Sequence, residues 1–456
     1  MKAVKVILII VAVLVALCIL LAGVGIYMTS RYVRSPAFKE EAVELARGQL
    51  GTDVSVDQLQ VSLFSGVELR GVVIGNPFGF TGNLLTADAF VLRYRLWPLL
   101  RRRVEIEQLS LDKPVVVLSQ DAKGTWNYEK LGMPEIEHAK TDAAQPPVTS
   151  KSSSAPAKPE AVSPVDIVLS KLAITGGSLS MVSDKGKPLV KVDGVRFSSS
   201  VSLTDNKLAG TGRAGIEKIN LSDKLFVEKA GTSVILASDQ VKLASLGGEL
   251  ADGKISGDVT VNYGTGLQYA VNLQLVNSDV AKLLQRAGSK PALDGKLNVS
   301  TALQGTGGLP TIVGTGRVQI ADGKLMEIPI LSQVGSVLQI DALRELKFSE
   351  CVVEFSISNN VMETPVVRLI SPLIQITGKG SVSLSDFKLN HDMTLIFTKG
   401  AADNVPSGVR YLFTERQDGS LAIDFHVSGP YSSPKTDLAK RMGQQLIEKG
   451  LRKLLQ

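Results

Sequence analysis

The chain opens on an apolar run, Val6 to Ile26, VILIIVAVLVALCILLAGVGI, 21 residues without a charge. At 1.5 Å per residue such a helix spans about 30 Å of hydrocarbon. The run exceeds the apolar core of a secretory signal, and no A-x-A site follows it. The pattern therefore predicts an uncleaved membrane anchor through Val6, Leu14 and Ile26. Next, PAFKEEAVELARGQL places Phe38, Ala42, Leu45, Ala46 and Gln49 at helical spacing, Glu40, Glu41 and Glu44 in the early turns, and Gly51 at the end. That predicts one amphipathic helix, either leading out of a membrane or packing on the body.

From Val54 the period changes to two. Val54, Val56, Leu59, Val61 and Leu63, then Val67, Leu69, Val72 and Ile74, alternate with polar residues, and Gly66, Gly71 and Gly75 punctuate the runs. These are short antiparallel strands. The alternation returns in Val104–Leu111, Pro114–Leu118, Val165–Ile174 and Ser178–Val182. It continues in Val259–Tyr263, Leu267–Val276, Lys296–Leu303, Val352–Ser358, Leu373–Leu384, Asp392–Phe397 and Leu421–Gly429. Two helical stretches interrupt the later strands, Ser278–Gly288, with Asp279 as a cap, and Pro329–Leu346, with Ser332 as a cap.

The tract from Ala139 to Pro164 holds five prolines among Ser, Ala and Lys, and is too poor in large apolar groups to offset its ordering entropy. It reads as a linker. The closing stretch places Leu438, Met442, Leu446, Ile447 and Leu451 on one helical face, with Lys440, Arg441, Lys449, Arg452 and Lys453 elsewhere. Such a basic amphipathic helix suits an anionic membrane surface or a partner, and equally suits covering a sheet edge. The chain thus divides into an anchor (1–35), a helix with strands (36–138), a linker (139–164), a strand-rich body (165–435) and a terminal helix (436–456).

Composition then narrows the function. Lys plus Arg is 50 against 44 Asp plus Glu, a formal charge of +6 over 456 residues, and aromatics are 5%. Neither argues for nucleic acid. The three histidines and two cysteines stand too far apart for a zinc site, a redox CxxC or a disulfide framework, so no metal or cofactor is expected. Gly210, Gly212 and Gly215 spell GxGxxG, but the following Ile216–Leu221 alternates as a strand where a dinucleotide site needs a helix. Arg101, Arg102 and Arg103 behind Trp97 suit either phosphate head groups or a solvated loop. Glu105 and Glu107 share one side of a strand with no matched acid or base nearby. No catalytic constellation emerges.

The order of several segments carries a family resemblance. After the anchor come LGTDVSVDQLQVSLFSGVELRGVVIGNP (Leu50 to Pro77) and ADAFVLRYRLWPLLRRRVEIEQLSLDKPVVVLSQDAKGTWNYEKL (Ala87 to Leu131). Then follow LDGKLNVSTALQGTGGLPTIVGTGRVQIADGKLMEIPIL (Leu293 to Leu331) and FHVSGPYSSPKTDL (Phe425 to Leu438). In these the chain resembles the AsmA-like family of bacterial envelope proteins, relatives of TamB. The resemblance implies a mainly β fold, an anchor followed by a long curved antiparallel sheet whose apolar groove is similar to that of chorein-type bridge proteins. About 22 strands at 4.8 Å would give a groove of about 100 Å.

These readings converge on a non-enzymatic phospholipid carrier contributing to outer-membrane biogenesis and envelope lipid homeostasis. It would be single-pass in a bacterial inner membrane, with the N-terminus cytoplasmic and the body periplasmic. Its expected partners are phospholipids, the inner membrane and an envelope or outer-membrane protein. The groove candidates are Val61, Leu63, Leu69, Ile106, Leu273 and Phe355, one alternate set whose facing sequence alone leaves open. The rival reading is a structural assembly factor that holds outer-membrane proteins or a partner complex along its sheet edges.

Overall fold

The computed structural model describes residues 36–132 except 63–65, 96 and 99–102, residues 166–326 except 206, 265 and 291, and residues 341–441 except 439. The run Val6–Ile26 with Leu14, the tract 139–164, Leu63, and Leu446, Lys449, Leu451 and Arg452 lie outside the described residues. Among the described residues no helix is long and apolar enough to cross a membrane. They form 21 strands and few helices, falling into two compact units. Unit 1 is Met1–Ala214 with Leu236–Ser238, and unit 2 is Gly215–Ile235 with Asp239–Gln456.

Unit 1 begins with helix α1 (Pro36–Leu50), which Gly51 ends at φ 63 by donating its N–H to Arg47 O at 2.8 Å. Its buried stripe is Phe38, Ala42, Ala46 and Leu50. Leu45 is 46% exposed, so the apolar face is turned slightly from the expected one, and α1 packs against the sheet. Strands β1 (Val54–Ser62), β2 (Gly66–Gly75) and β3 (Asn83–Arg95) form an antiparallel meander under it.

The sheet departs from all-antiparallel at the next step. Strands β4 (Arg103–Asp112) and β5 (Val115–Ser119) run in the same direction, separated by Lys113 at φ 42 and Pro114. Both pair with β3, through Leu92↔Leu109 and Leu85↔Val116. Both then pair in parallel with the single strand β6 (Asp166–Val182), through Ile106↔Leu169 and Val116↔Leu179. Lys113 N–H to Thr175 O and Ser178 N–H to Pro114 O, each 2.7 Å, bridge the gap. A parallel pair needs a long crossover, and the chain between Ser119 and Asp166 supplies it. The two expected strands 165–174 and 178–182 are therefore one strand in a mixed sheet. Strand β7 (Pro188–Thr204) pairs antiparallel with β6, and β8 (Lys207–Leu221) carries the boundary between the units.

Unit 2 continues with β9 (Leu225–Ala237) and β10 (Gln240–Leu250), then β11 (Gly253–Asn262) and β12 (Gln268–Asp279). Helix α2 (Val280–Arg286) follows, shorter than its expected span, and Asp279 caps it by accepting the Lys282 N–H at 3.0 Å. Then come β13 (Leu293–Thr306), β14 (Val313–Met326), β15 (Glu345–Ser358), β16 (Val361–Ile370), β17 (Ile374–Ser383) and β18 (Lys388–Phe397). Short helices α3 (Lys399–Ala402) and α4 (Ser407–Arg410) lead to β19 (Thr414–Glu415), β20 (Leu421–Pro430) and β21 (Lys435–Thr436). The expected helix over 329–346 does not extend to its end. Asp341–Leu343 is a single 3₁₀ turn, Glu345 and Leu346 already belong to β15, and 327–340 lie outside the described residues.

Candidate functional site

From β10 to β18, and on to β20, each strand pairs antiparallel with the next, and the register puts like on like. Gly257, Leu273, Thr301, Gly316 and Phe355 stand in one row across five strands. The row on one side runs Val259, Val271, Leu303, Gly314 and Ile357, and the row on the other runs Ile255, Leu275, Val299, Val318 and Val353. Because side chains alternate across a pleated sheet, all of these share one face. The alternate set Asp258, Asn272, Ser300, Arg317 and Glu354 lies on the other.

The polar face is laced together. Arg317 binds Glu354 at 2.8 Å, Arg368 binds Glu350 at 3.1 Å, and Asn272 donates to Asp258 at 3.2 Å. A shallow depression of about 800 Å³ crosses β11 to β15, lined by residues of both sets, among them Leu273, Gly316 and Phe355 as well as Asp258, Asn272 and Glu354. Among the described residues the apolar face has no such network of ion pairs. Between β11 and β15 its residues are mostly half-buried: Leu273, Val299, Val353 and Phe355 all keep solvent contact.

Where that face carries polar side chains, they are satisfied by the protein. Thr301 donates to Thr315 O at 3.1 Å, and Ser278 to Leu250 O at 2.8 Å. Thr364, 2% exposed, donates to Gly380 O at 3.0 Å and lies 2.8 Å from His391 Nε2. With the Thr364 proton so engaged, His391 is the donor of that contact through Nε2–H. Burial, aided by the nearby His426, holds the His391 pKa below the usual range, against the opposing pull of Asp392 and Glu363. Cys351, on the same face, has its thiol pKa raised by burial. A face whose hydroxyls and imidazole already have partners offers an incoming molecule only apolar contact.

One end of this face is covered. Ala401, Ala402, Val405, Leu412 and Phe413 close over Leu346, Ile374, Leu395, Phe397 and Leu421 as a compact core. Unit 1 is covered over β1 to β3: Phe38, Ala42, Ala46 and Leu50 of α1 share one core with Val54, Val61, Leu69, Phe90 and Leu92.

The sequence candidates accordingly divide in two. Val61, Leu69 and Ile106 come together in unit 1 and are buried in its core, whereas Leu273 and Phe355 share one half-exposed row in unit 2. Lys440 and Arg441 are described, and Arg441 binds Asp437 at 2.6 Å. The reading missed Met393, His391 and Thr364, which extend the face. The alternation of Leu389, His391, Met393, Leu395 and Phe397 carries that signal, and Asp392–Phe397 was read as a strand, but its residues were not placed among the groove candidates.

The rejected motifs fall on strands. Gly210, Gly212 and Gly215 all lie within strand β8. Glu105 and Glu107 both pair with Arg95. Among the described residues no group of three His, Cys, Asp or Glu side chains is placed to hold a metal ion.

Residues 1–214 match the model of the AsmA family. Over this part the chain is AsmA-like. No curated protein and no solved structure matches it. The family match ends at Ala214, where unit 1 of the AsmA-like chain also ends, apart from Leu236–Ser238. A mainly β architecture with a large mixed sheet and an envelope-associated, lipid-transport-like role fit together in such a protein.

Proposed function

We propose that this AsmA-like chain is a non-enzymatic phospholipid-binding protein that moves lipids by carrying acyl chains on the apolar face of unit 2 while head groups stay in water. The observation that carries this reading is the contrast between the two faces. One is apolar, half-exposed from β11 to β15 and internally satisfied, and the other is laced with ion pairs. Leaving so broad an apolar surface in contact with water costs about 25 cal/mol per Å², and acyl chains remove that cost. Val6–Ile26 would anchor the chain in a bacterial inner membrane with the body in the periplasm, and transfer toward the outer membrane would serve envelope lipid homeostasis.

The test is to purify the full chain under mild conditions, extract bound lipid and quantify it per chain by mass spectrometry. Several phospholipids per chain, lost on Leu273→Asp or Phe355→Asp but kept on the polar-face change Asn272→Asp, is the expected result. A folded, lipid-free chain overturns the reading and favours the assembly-factor alternative.

A further inference from the structure

Along β18 and β20 the apolar face is graded from closed to open. At one end Phe397 and Leu421 are paired and buried, at 0% and 1% exposure. The register then passes Leu395↔Ile423, Met393↔Phe425, His391↔Val427 and Leu389↔Gly429. Beyond the last pair, Lys388↔Pro430, Phe387 stands opposite Tyr431, held by the Tyr431 N–H donating to Phe387 O at 3.0 Å. These two residues are 52% and 65% exposed, and their rings meet edge to face at 6.0 Å between centroids. They form a lip on which the apolar face runs out into solvent.

Three features separate this lip from an ordinary turn. Phe387 sits at φ 53, a conformation that non-glycine residues other than Asn and Asp rarely take. Its ring has Tyr431 as its aromatic contact, so the strained backbone presents the ring outward instead of seating it in the core. The flanking side chains are small or basic: Ser385, Ser432 and Ser433, with Lys388 and Lys435 against the single acid Asp386, which Lys388 binds at 2.6 Å. An exposed Phe–Tyr pair with serines and a net positive charge is the chemistry of the boundary between head groups and acyl chains, where amphipathic rings settle and lysines meet anionic phosphate.

We propose that the Phe387–Tyr431 lip inserts into the surface of an anionic phospholipid bilayer, bringing the open end of β18 and β20 against the membrane with which acyl chains are exchanged. The exchange rests on the lipid-carrier reading above, whereas membrane contact by the lip is measured independently of it.

The test uses the full chain in neutral phosphatidylcholine vesicles, mixed with a second population of phosphatidylcholine and phosphatidylglycerol carrying brominated acyl chains. Phe387→Trp and Tyr431→Trp each add a fluorophore at an exposed site. Its emission, taken over that of the unsubstituted chain, is expected to be quenched by the brominated vesicles, and the quenching to weaken when phosphatidylglycerol is omitted or salt is raised. Phe387→Ser with Tyr431→Ser should weaken capture of the second population about tenfold while leaving the bound lipid per chain unchanged. Unquenched fluorophores in a chain that still carries lipid overturn the lip and leave the carrier reading standing. Quenching in a lipid-free chain keeps the lip and removes the carrier. A lip that binds a protein partner instead gives no quenching, and that too overturns the proposal.

Discussion

Phe355 lies across Gly316. The two are register partners on β15 and β14, and the ring occupies the space that a Cβ on Gly316 would need. The same relation recurs between Phe348 and Gly323, Tyr269 and Gly305, and Met393 and Gly378. A large side chain that reclines over a glycine on the next strand covers bare backbone and keeps the apolar face low, the pairing known from designed sheets as aromatic rescue.

Gly316→Ala is therefore expected to destabilise the chain by about 1–3 kcal/mol, since neither the ring nor the nearby Ser300 carbonyl can give way freely. Phe355→Ala removes the ring that collides. In a double-mutant cycle followed by urea unfolding, the combined variant should lose less than the sum of the two single changes, and strict additivity would show that the pair is uncoupled.

His391 gives the apolar face a pH dependence. Its folded-state pKa is depressed, so the neutral form is favoured on folding and the unfolded chain, titrating near about 6.5, takes up the proton first. Its contribution is complete above that value, falls as pH drops below it, and levels off below the folded pKa. His391→Met should flatten this part of the acid slope in urea midpoints measured from neutral pH downward. An unchanged slope would assign the acid sensitivity to other groups.

Asp279 is expected to matter through its cap. Its carboxylate accepts the Lys282 N–H, and that bond, assisted by Lys296, outweighs partial burial and lowers its pKa. Asp279→Ala should cost about 1 kcal/mol while Asp279→Asn, which keeps the acceptor, should cost much less. Equal losses in urea unfolding would mean that charge rather than capping is responsible. A depressed carboxylate pKa also means that this stability is present above about pH 4 and is lost as pH falls through the folded value.

The polar face supplies a contrast. Arg317 and Glu354 are both substantially exposed, so Arg317→Ala should shift stability by no more than about 1 kcal/mol and leave bound lipid unchanged. A loss of lipid on this change, measured by the same extraction and mass spectrometry, would place head-group contacts on the polar side.

The residues explain which parts of this fold were legible. Cys351, Val353, Phe355 and Ile357 alternate without interruption, and the structure sets all four on one face of β15. Pro36 and Gly51 bracket α1 as read from the sequence. Strands β7, β9 and β10 were not read and β8 was read only over Ile216–Leu221, because β8 carries Gly210 and Gly212 at positions where alternation would show apolar side chains, and β10 is broken by a register shift between Leu243 and Leu246. Strand β16 was hidden by Pro365, which sits in a bulge between Thr364 and Val367. The parallel pairing of β4 and β5 with β6 was beyond reach, because alternation marks a strand without naming its neighbour. For the candidate site, alternation grouped Leu273 with Phe355 but gave no sign that α1 would bury Val61 and Leu69.

From β10 to β18 each strand hydrogen-bonds the next one in the chain. Such a meander is close to one-dimensional, so its stability adds up from neighbouring hairpins, much as in repeat proteins, and its short-range contacts allow folding to spread outward from any hairpin. Duplicating or deleting a pair of strands preserves direction and alternation, so a descendant chain can grow or shrink by whole hairpins without any side chain changing sides.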